Sequence, residues 1–231
     1  MIRQPFIDDV WRLIGQNRTV GFYTRDTFSA VPASTAGIYA WFYPLKVRFP
    51  SFSEFLEELF LVYDYDSKLR DSQEGWYPVR LGSRNYEIGM RLTSFFRDHA
   101  HWDGEWNRVI RHPETSRAFQ EALLKASILM PPLYVGKTDD LARRSREHLN
   151  RRTDQTGFHE RYTRRIAKLN EEIRSGEIPS KTNEIASREV ADLLLVTITI
   201  DDIADDSETA DFEGLIEYIL KGASGPIYSQ L

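Results

Sequence analysis

The sequence predicts an α+β fold in which a few short strands carry the core and helices pack against them. Three stretches point there. Leu193–Ile200 is short and dense in β-branched residues, the composition of a buried strand. Leu133–Asn150, LYVGKTDDLARRSREHLN, reads as strand, glycine turn and helix. Leu133, Tyr134 and Val135 suit a buried strand, and Gly136 lets the backbone turn sharply. Gly37–Tyr43 is the third strand, with Tyr39, Trp41 and Tyr43 on one side and Ile38, Ala40 and Phe42 on the other. Both sides are apolar or aromatic, which marks a central or well-covered strand.

Taken in order, residues 4–16 read as a short amphipathic helix with Phe6, Val10, Trp11 and Ile14 on its apolar side. Gly21–Phe28 fits a strand or a loop. Between the strands at Gly37–Tyr43 and Leu133–Gly136 lies a long stretch that itself looks folded. Ser51 and Glu54 have the spacing of a capping box and open a helix with Phe52, Phe55, Leu56 and Leu59 on one side. Tyr77–Leu81 suits a short strand, and helices are expected at Tyr86–Phe96 and Glu114–Ser127. The chain therefore divides into 1–43 (N-terminal helix and first core strand), 44–130 (a mainly helical insertion) and 131–231 (the rest of the core). A basic helix is expected over Phe158–Glu172 and a last helix over Phe212–Leu220, where Phe212, Leu215, Ile216, Ile219 and Leu220 keep helical spacing.

Composition bounds the function. At 231 residues, 41% hydrophobic and 28% charged, the chain is ordinary for a soluble globular protein. It has no apolar run of membrane-spanning length, and its first residues lack a leader's apolar core. Cysteine is absent, which excludes disulfides and thiolate metal sites. A cytoplasmic location, with no membrane partner, is the simplest inference. The net charge of −5 argues against indiscriminate coating of nucleic acid. Charge is segregated, however. Arg143, Arg144, Arg146, Arg151, Arg152, Arg161, Arg164 and Arg165 gather in one region, while Asp201, Asp202, Asp205, Asp206, Glu208 and Asp211 gather in another. That suits a local phosphate site and equally a dipolar surface.

The helix after Gly136 carries the candidate chemistry. Thr138 is placed to cap it, with Asp139 and Asp140 in its first turn against the macrodipole. Arg144 and His148 are four apart and share a face, so Lys137, Arg144 and His148 are expected near an exposed Tyr134 hydroxyl. The bland reading is a solvated basic helix, with Tyr39 an ordinary packed tyrosine. His99, His101 and Asp103 make a weak metal signal with His112 as the only further ligand in view, and a polar loop accounts for them better.

These stretches together resemble the GIY-YIG nuclease family. Gly37-Ile38-Tyr39 and Tyr134-Val135-Gly136 match its two strand motifs, and Lys137, Leu141, Arg144 and His148 match the residues that follow the second. The resemblance continues with Glu217 and, nine residues on, Pro226, but Ser229 stands where the family has asparagine. It covers about half of the chain. It implies a small antiparallel sheet of three strands flanked by helices, with the strands of Tyr39 and Tyr134 adjacent. Here those tyrosines are ninety-five residues apart, so the insertion must loop out between them. Such closure costs little more than a medium loop, since its entropy grows logarithmically with length.

What the resemblance implies is a metal-dependent hydrolase, an endonuclease cutting DNA phosphodiesters with one Mg2+ or Mn2+ held by Glu217 and water. Glu213 lies one turn from Glu217, and the family's spacing to Pro226 selects Glu217. Arg144 would clamp the phosphate, Tyr39 would orient or deprotonate water, and Lys137 beside it would lower its pKa. Tyr134 and His148 would hydrogen-bond phosphate or water. Thr138, Arg143, Arg151, Arg152, Arg164 and Arg165 would contact DNA, and no reading module is expected beyond Leu231. A restriction or defence role fits by analogy. The alternative is a catalytically silent module of the same fold that binds nucleic acid or a protein. The insertion would serve target selection, a second copy or a protein partner.

Overall fold

The computed structural model describes residues 20–48, 50–63, 75–81, 84–90, 100–177, 184–185 and 187–199, with Glu217 and Lys221. The expected helix at 4–16, His99, and Glu213, Pro226 and Ser229 with most of the last expected helix lie outside these residues. The chain forms two compact units, one within Met1–Leu45, Leu123–Lys168 and Ala186–Leu231, the other within Lys46–Ala122 and Leu169–Ile185.

The first unit is built on an antiparallel sheet of four strands, β1 (Val20–Tyr23), β2 (Gly37–Phe42), β5 (Tyr134–Thr138) and β6 (Leu194–Thr199), in the order β1-β6-β2-β5. The α+β class holds. β1 joins the three expected strands at the sheet edge through β6, pairing Val20 with Ile198 and Phe22 with Val196. The chain then leaves it in a 3-10 turn, Arg25–Ala30, so Gly21–Phe28 is strand and turn in succession. β2 is central, as its two apolar sides require. Tyr39 faces Gly136 of β5 and Thr197 of β6, and Trp41 faces Tyr134 and Leu195. The strands of Tyr39 and Tyr134 are thus neighbours despite their separation in sequence.

Side chains alternate across a strand, and the Tyr39–Trp41 side of β2 meets α4 (Leu141–Leu149) and the start of α5 (Phe158–Ser175). The ring of Trp41 lies 6.2 Å from those of both His148 and Phe158, and Phe158 and Tyr162 are fully buried there. The first free amides of α4 are satisfied by the loop before β2, Leu141 N donating to Thr35 O and Ala142 N to Pro32 O, each at 3.0 Å. That loop therefore fixes where α4 starts, and with it where Arg144 and His148 point. The cap differs from expectation. Asp140 is the N-cap, its carboxylate accepting from Arg143 N at 2.9 Å. Thr138, still in β5, accepts from Asp140 N at 3.1 Å and so shapes the turn.

In the second unit, α1 (Phe52–Tyr63) and α2 (Ala100–Arg111) pack through Phe52, Phe55 and Trp106, and Phe119 of α3 (Pro113–Ala126) meets the Trp106 edge at 5.9 Å. Ser51 Oγ caps α1 through Glu54 N as expected. Asp103 assists by accepting from Phe52 N and Ser53 N, which gives this carboxylate a structural task. The insertion is less helical than expected. Arg84–Met90, which overlaps the helix expected from Tyr86, is strand β4, paired with β3 (Gly75–Leu81) from Leu81–Arg84 to Gly75–Met90. Tyr86, Ile88 and Met90 alternate with the two-residue period of a strand, which the ladder with β3 uses.

Gly136 is a point of close approach in the sheet, with Tyr39 directly over it. A Cβ on it would lie 2.5 Å from the Tyr39 hydroxyl oxygen and 2.7 Å from its ring. Gly136→Ala is therefore expected to lower the unfolding free energy by about 1–3 kcal/mol, as overpacking does. Urea denaturation measures it, and an unchanged midpoint would show that the Tyr39 ring swings aside freely.

Candidate functional site

Three of the expected residues converge on one atom. The Tyr39 hydroxyl lies 2.8 Å from His148 Nε2 and accepts from Arg144 Nε at 3.2 Å. β2 supplies the first residue and one face of α4 the other two, as the four-residue spacing predicted. Tyr134 completes the group by ring contact. It lies 6.0 Å from the Tyr39 ring, nearly parallel, and meets the His148 ring edge-on at 5.1 Å. Its side chain is buried rather than exposed, because β5 turns it toward Phe158 at 4.9 Å.

Access to the group is one-sided. Tyr39 is 2% exposed and His148 is fully buried, while the Arg144 side chain keeps 18% of its surface. Arg144 Nη1 is held by Glu147 Oε2 at 2.5 Å. Nη2 makes no hydrogen bond among the described residues. Burial alone would pull the Arg144 guanidinium down, but Glu147 and the Tyr39 oxygen outweigh it and hold it charged.

Burial, reinforced by Tyr134, pushes the Tyr39 hydroxyl well above the ordinary tyrosine value, and Arg144 only partly offsets this. The expected lowering by Lys137 does not occur. Lys137 pairs with Ile38 and is exposed, so its side chain leaves the opposite sheet face from Tyr39. Tyr39 is therefore a neutral phenol at neutral pH, and it functions as a base only if it passes its proton on. His148 stands where that proton would go. Burial lowers its pKa against the opposing pull of Asp154, keeping the ring neutral.

Sequence reasoning missed Asp154. Its side chain is 1% exposed and its Oδ1 lies 3.2 Å from His148 Nδ1. The same carboxylate accepts from Thr156 N and Oγ1 at 3.1 and 2.5 Å and from His159 N at 2.7 Å. Burial disfavours its charge, but these donors and His148 outweigh that and hold its carboxyl far below the usual range. The only sequence signal was an Asp-x-Thr turn ahead of the helix at Phe158.

The remaining expected residues are dispersed. Thr138 is buried with its hydroxyl spent inside the turn. Arg143 is engaged by Asp139 and Glu147 at 2.7 and 2.6 Å. Arg151 and Arg164 are largely exposed beside Glu160, Arg152 is exposed in the turn after α4, and Arg165 is half-buried in α5. Glu217 is helical and half-buried, with Oε1 3.1 Å from Lys221 Nζ. No set of three metal-ligating side chains occurs among the described residues. A single carboxylate with one oxygen engaged by Lys221 is a donor set for a largely hydrated, oxygen-preferring cation, not for a transition metal caged by protein.

Compared with family models, curated proteins and solved structures, the chain matches none. No described helix is long and apolar enough to cross a membrane. A cleft of about 450 Å3 lies on the other sheet face, lined by Ile38, Ala40, Phe42, Leu129, Val196 and Ile198. Its lining is apolar apart from Tyr39. The convergent polar groups lie instead at the Tyr39 hydroxyl.

The buried pair His148–Asp154 sets a pH dependence. Between the ordinary imidazole value of about 6.5 and the lower folded value, the unfolded chain holds a proton that the folded chain does not. His148 therefore contributes stability that is fully present above about 6.5 and is lost as pH falls through the folded value. Asp154 acts with the same sign further into acid. Melting temperature is expected to fall from pH 7 to pH 5, and less steeply in His148→Gln. Parallel curves for the two proteins would refute the buried neutral imidazole.

Proposed function

We propose that the protein is a metal-dependent phosphodiesterase, an endonuclease acting on DNA in the manner of the GIY-YIG nucleases. The observation that carries the reading is the Tyr39 hydroxyl held between Arg144 Nε and His148 Nε2. Hydrolysis of a phosphodiester needs a nucleophilic water relieved of a proton, a counter-charge for the phosphorane and a place for the leaving alkoxide. The convergent group supplies the first two.

Arg144 binds the scissile phosphate by its outward guanidinium edge, while its Nε–H orients Tyr39. Water attacks phosphorus as its proton passes to the Tyr39 oxygen, and the Tyr39 proton moves in the same event to His148 Nε2. A water–phosphorus bond forms, one ester P–O bond breaks, and the departing alkoxide takes a proton from solvent. His148 ends as imidazolium and returns its proton to solvent before the next turnover. Relay through a neutral imidazole removes the need for a tyrosinate at rest. Glu217 is the residue that would hold Mg2+ or Mn2+, which supplies Lewis-acid neutralisation of phosphate charge when bound. The exposed arginines Arg151, Arg152 and Arg164 would make sequence-independent contacts to the backbone. The antiparallel strands, the match of both motifs and the family's spacing support the reading.

The burial of Tyr39 and the pairing of Glu217 with Lys221 favour one alternative, a silent module of the same fold that binds nucleic acid or a protein partner. Plasmid and single-stranded DNA incubated with Mg2+ or Mn2+ separate the two. Wild type is expected to nick or linearise DNA, with Tyr39→Phe slower by about 10²–10⁴-fold and Glu217→Ala inactive. Full activity in Glu217→Ala would sink the metal assignment. Retention of DNA without cutting by wild type would favour the silent module.

A further inference from the structure

We infer that Asp154 is the positioning residue of this centre, fixing His148 as the Nδ1–H tautomer so that Nε2 is free to take the Tyr39 proton. The inference rests on the catalytic reading for its consequence, but not for its geometry. Neutral imidazole carries one proton, and which nitrogen holds it is set by the partner of the other. Asp154 Oδ1, a buried acceptor, faces Nδ1 at 3.2 Å. The approach is too bent for a full hydrogen bond, and Nδ1 has no better partner. A carboxylate cannot donate, so the favourable arrangement puts the proton on Nδ1. Nε2 is then an acceptor, and at 2.8 Å it receives the Tyr39 O–H. Arg144 Nε donates to the same oxygen, which leaves the hydroxyl hydrogen to point at the imidazole. The three contacts agree on one proton arrangement.

Asp154 is itself held rigidly. Thr156 and His159 amides fix its two oxygens, and His159 Nδ1–H donates to the His148 carbonyl at 2.9 Å. The turn between α4 and α5 thus grips the His148 residue at both its ring and its backbone. The polar and charged groups facing the ring are Tyr39, Arg144, Glu147 and Asp154, with the Tyr134 ring against its edge. Of these, only the two carboxylates favour imidazolium. Asp154 contacts His148, Thr156 and His159 and neither Tyr39 nor Arg144, so its influence reaches the chemistry only through His148. The arrangement parallels the logic by which an aspartate orients a histidine beside a nucleophile, where a carboxamide substitution costs about 10⁴-fold by selecting the wrong tautomer.

Asp154→Asn is the informative variant. His159 N and Thr156 N donate to opposite oxygens, at 2.7 and 3.1 Å, and the amide has one oxygen to offer; the shorter bond, from His159 N, keeps it and turns the NH2 toward His148 Nδ1. That favours a proton on Nε2, where it opposes the Tyr39 hydroxyl. Long-range ring-nitrogen NMR at neutral pH is expected to show wild-type His148 protonated on Nδ1 and the variant on Nε2. Cleavage of plasmid with Mg2+ is expected to slow by about 10²–10⁴-fold, with DNA retention unchanged. Loss of the neighbouring negative charge should also move the acid limb of the residual activity to lower pH by about one unit. An Asp154 that merely caps α5 would leave the tautomer and the acid limb where they are, and that result overturns the inference. So does a wild-type ring protonated on Nε2, which needs no variant to fold. If wild type cuts nothing, the catalytic reading fails while the ring measurement still decides the role of Asp154.

Discussion

The antiparallel pairing of β2 with β5, and the absence of a side chain at Gly136 within it, govern the rest of the site. Gly136 faces Tyr39 across the ladder, and only a hydrogen at that position leaves room for the tyrosine ring to lie over the neighbouring strand. With the ring in place, its hydroxyl reaches the face of α4 that carries Arg144 and His148. The helix in turn is anchored by its first amides to the loop ahead of β2. Loop, strand and helix close a short circuit of contacts, and each fixes the others without any long side chain having to span the distance.

Burial gives this cluster its chemical character. An exposed tyrosine beside an arginine would lose its proton near its ordinary value, with the arginine helping. Inside the sheet the cost of an unshielded phenolate dominates, and the hydroxyl stays neutral. The same desolvation keeps His148 uncharged while Asp154, with its amide and hydroxyl donors, stays ionised. Tyr39 and His148 thus rest neutral, and Asp154 alone of the three is ionised, its intrinsically acidic carboxyl kept charged by its donors. Proton movement along Tyr39 and His148 then needs no resting ion other than Asp154 and Arg144.

Much of this was legible in the chain. The β-branched run at Leu193–Ile200, the two-sided β2 and the apolar run before Gly136 identified three strands of the sheet, although Gly136 lies within the ladder and does not turn the chain as expected, and the spacing of Arg144 and His148 placed both on one face. Other features depend on partners far away in sequence. Lys137 looked like a neighbour of Tyr39 because both flank motif residues, but register puts it opposite Ile38 and strand alternation sends it to the other face. The helix expected from Tyr86 overlooked a strand pattern, since Tyr86, Ile88 and Met90 of β4 alternate at a period of two and Gly82-Ser83 before them is a hairpin signal. Asp154 sits in a turn whose composition suggests only a cap. Its importance comes from a histidine six residues earlier, folded back over it by the bend between α4 and α5.

The placement of β2 between strands that come much later in the chain has a consequence for synthesis. Tyr39 leaves the ribosome ninety-five residues ahead of Tyr134, an interval of about 5–20 s at ordinary elongation rates. β6, its other neighbour, follows later still. Throughout that time a strand with two apolar faces has neither of its ladders. The intervening residues meanwhile include most of a unit with an aromatic centre of its own around Trp106, which Leu169–Ile185 joins only after β5 has been made. Both units of the chain thus wait on residues that come after Tyr134. The nascent β2 is the segment whose company, chaperone or neighbouring chain, matters most before the sheet can close.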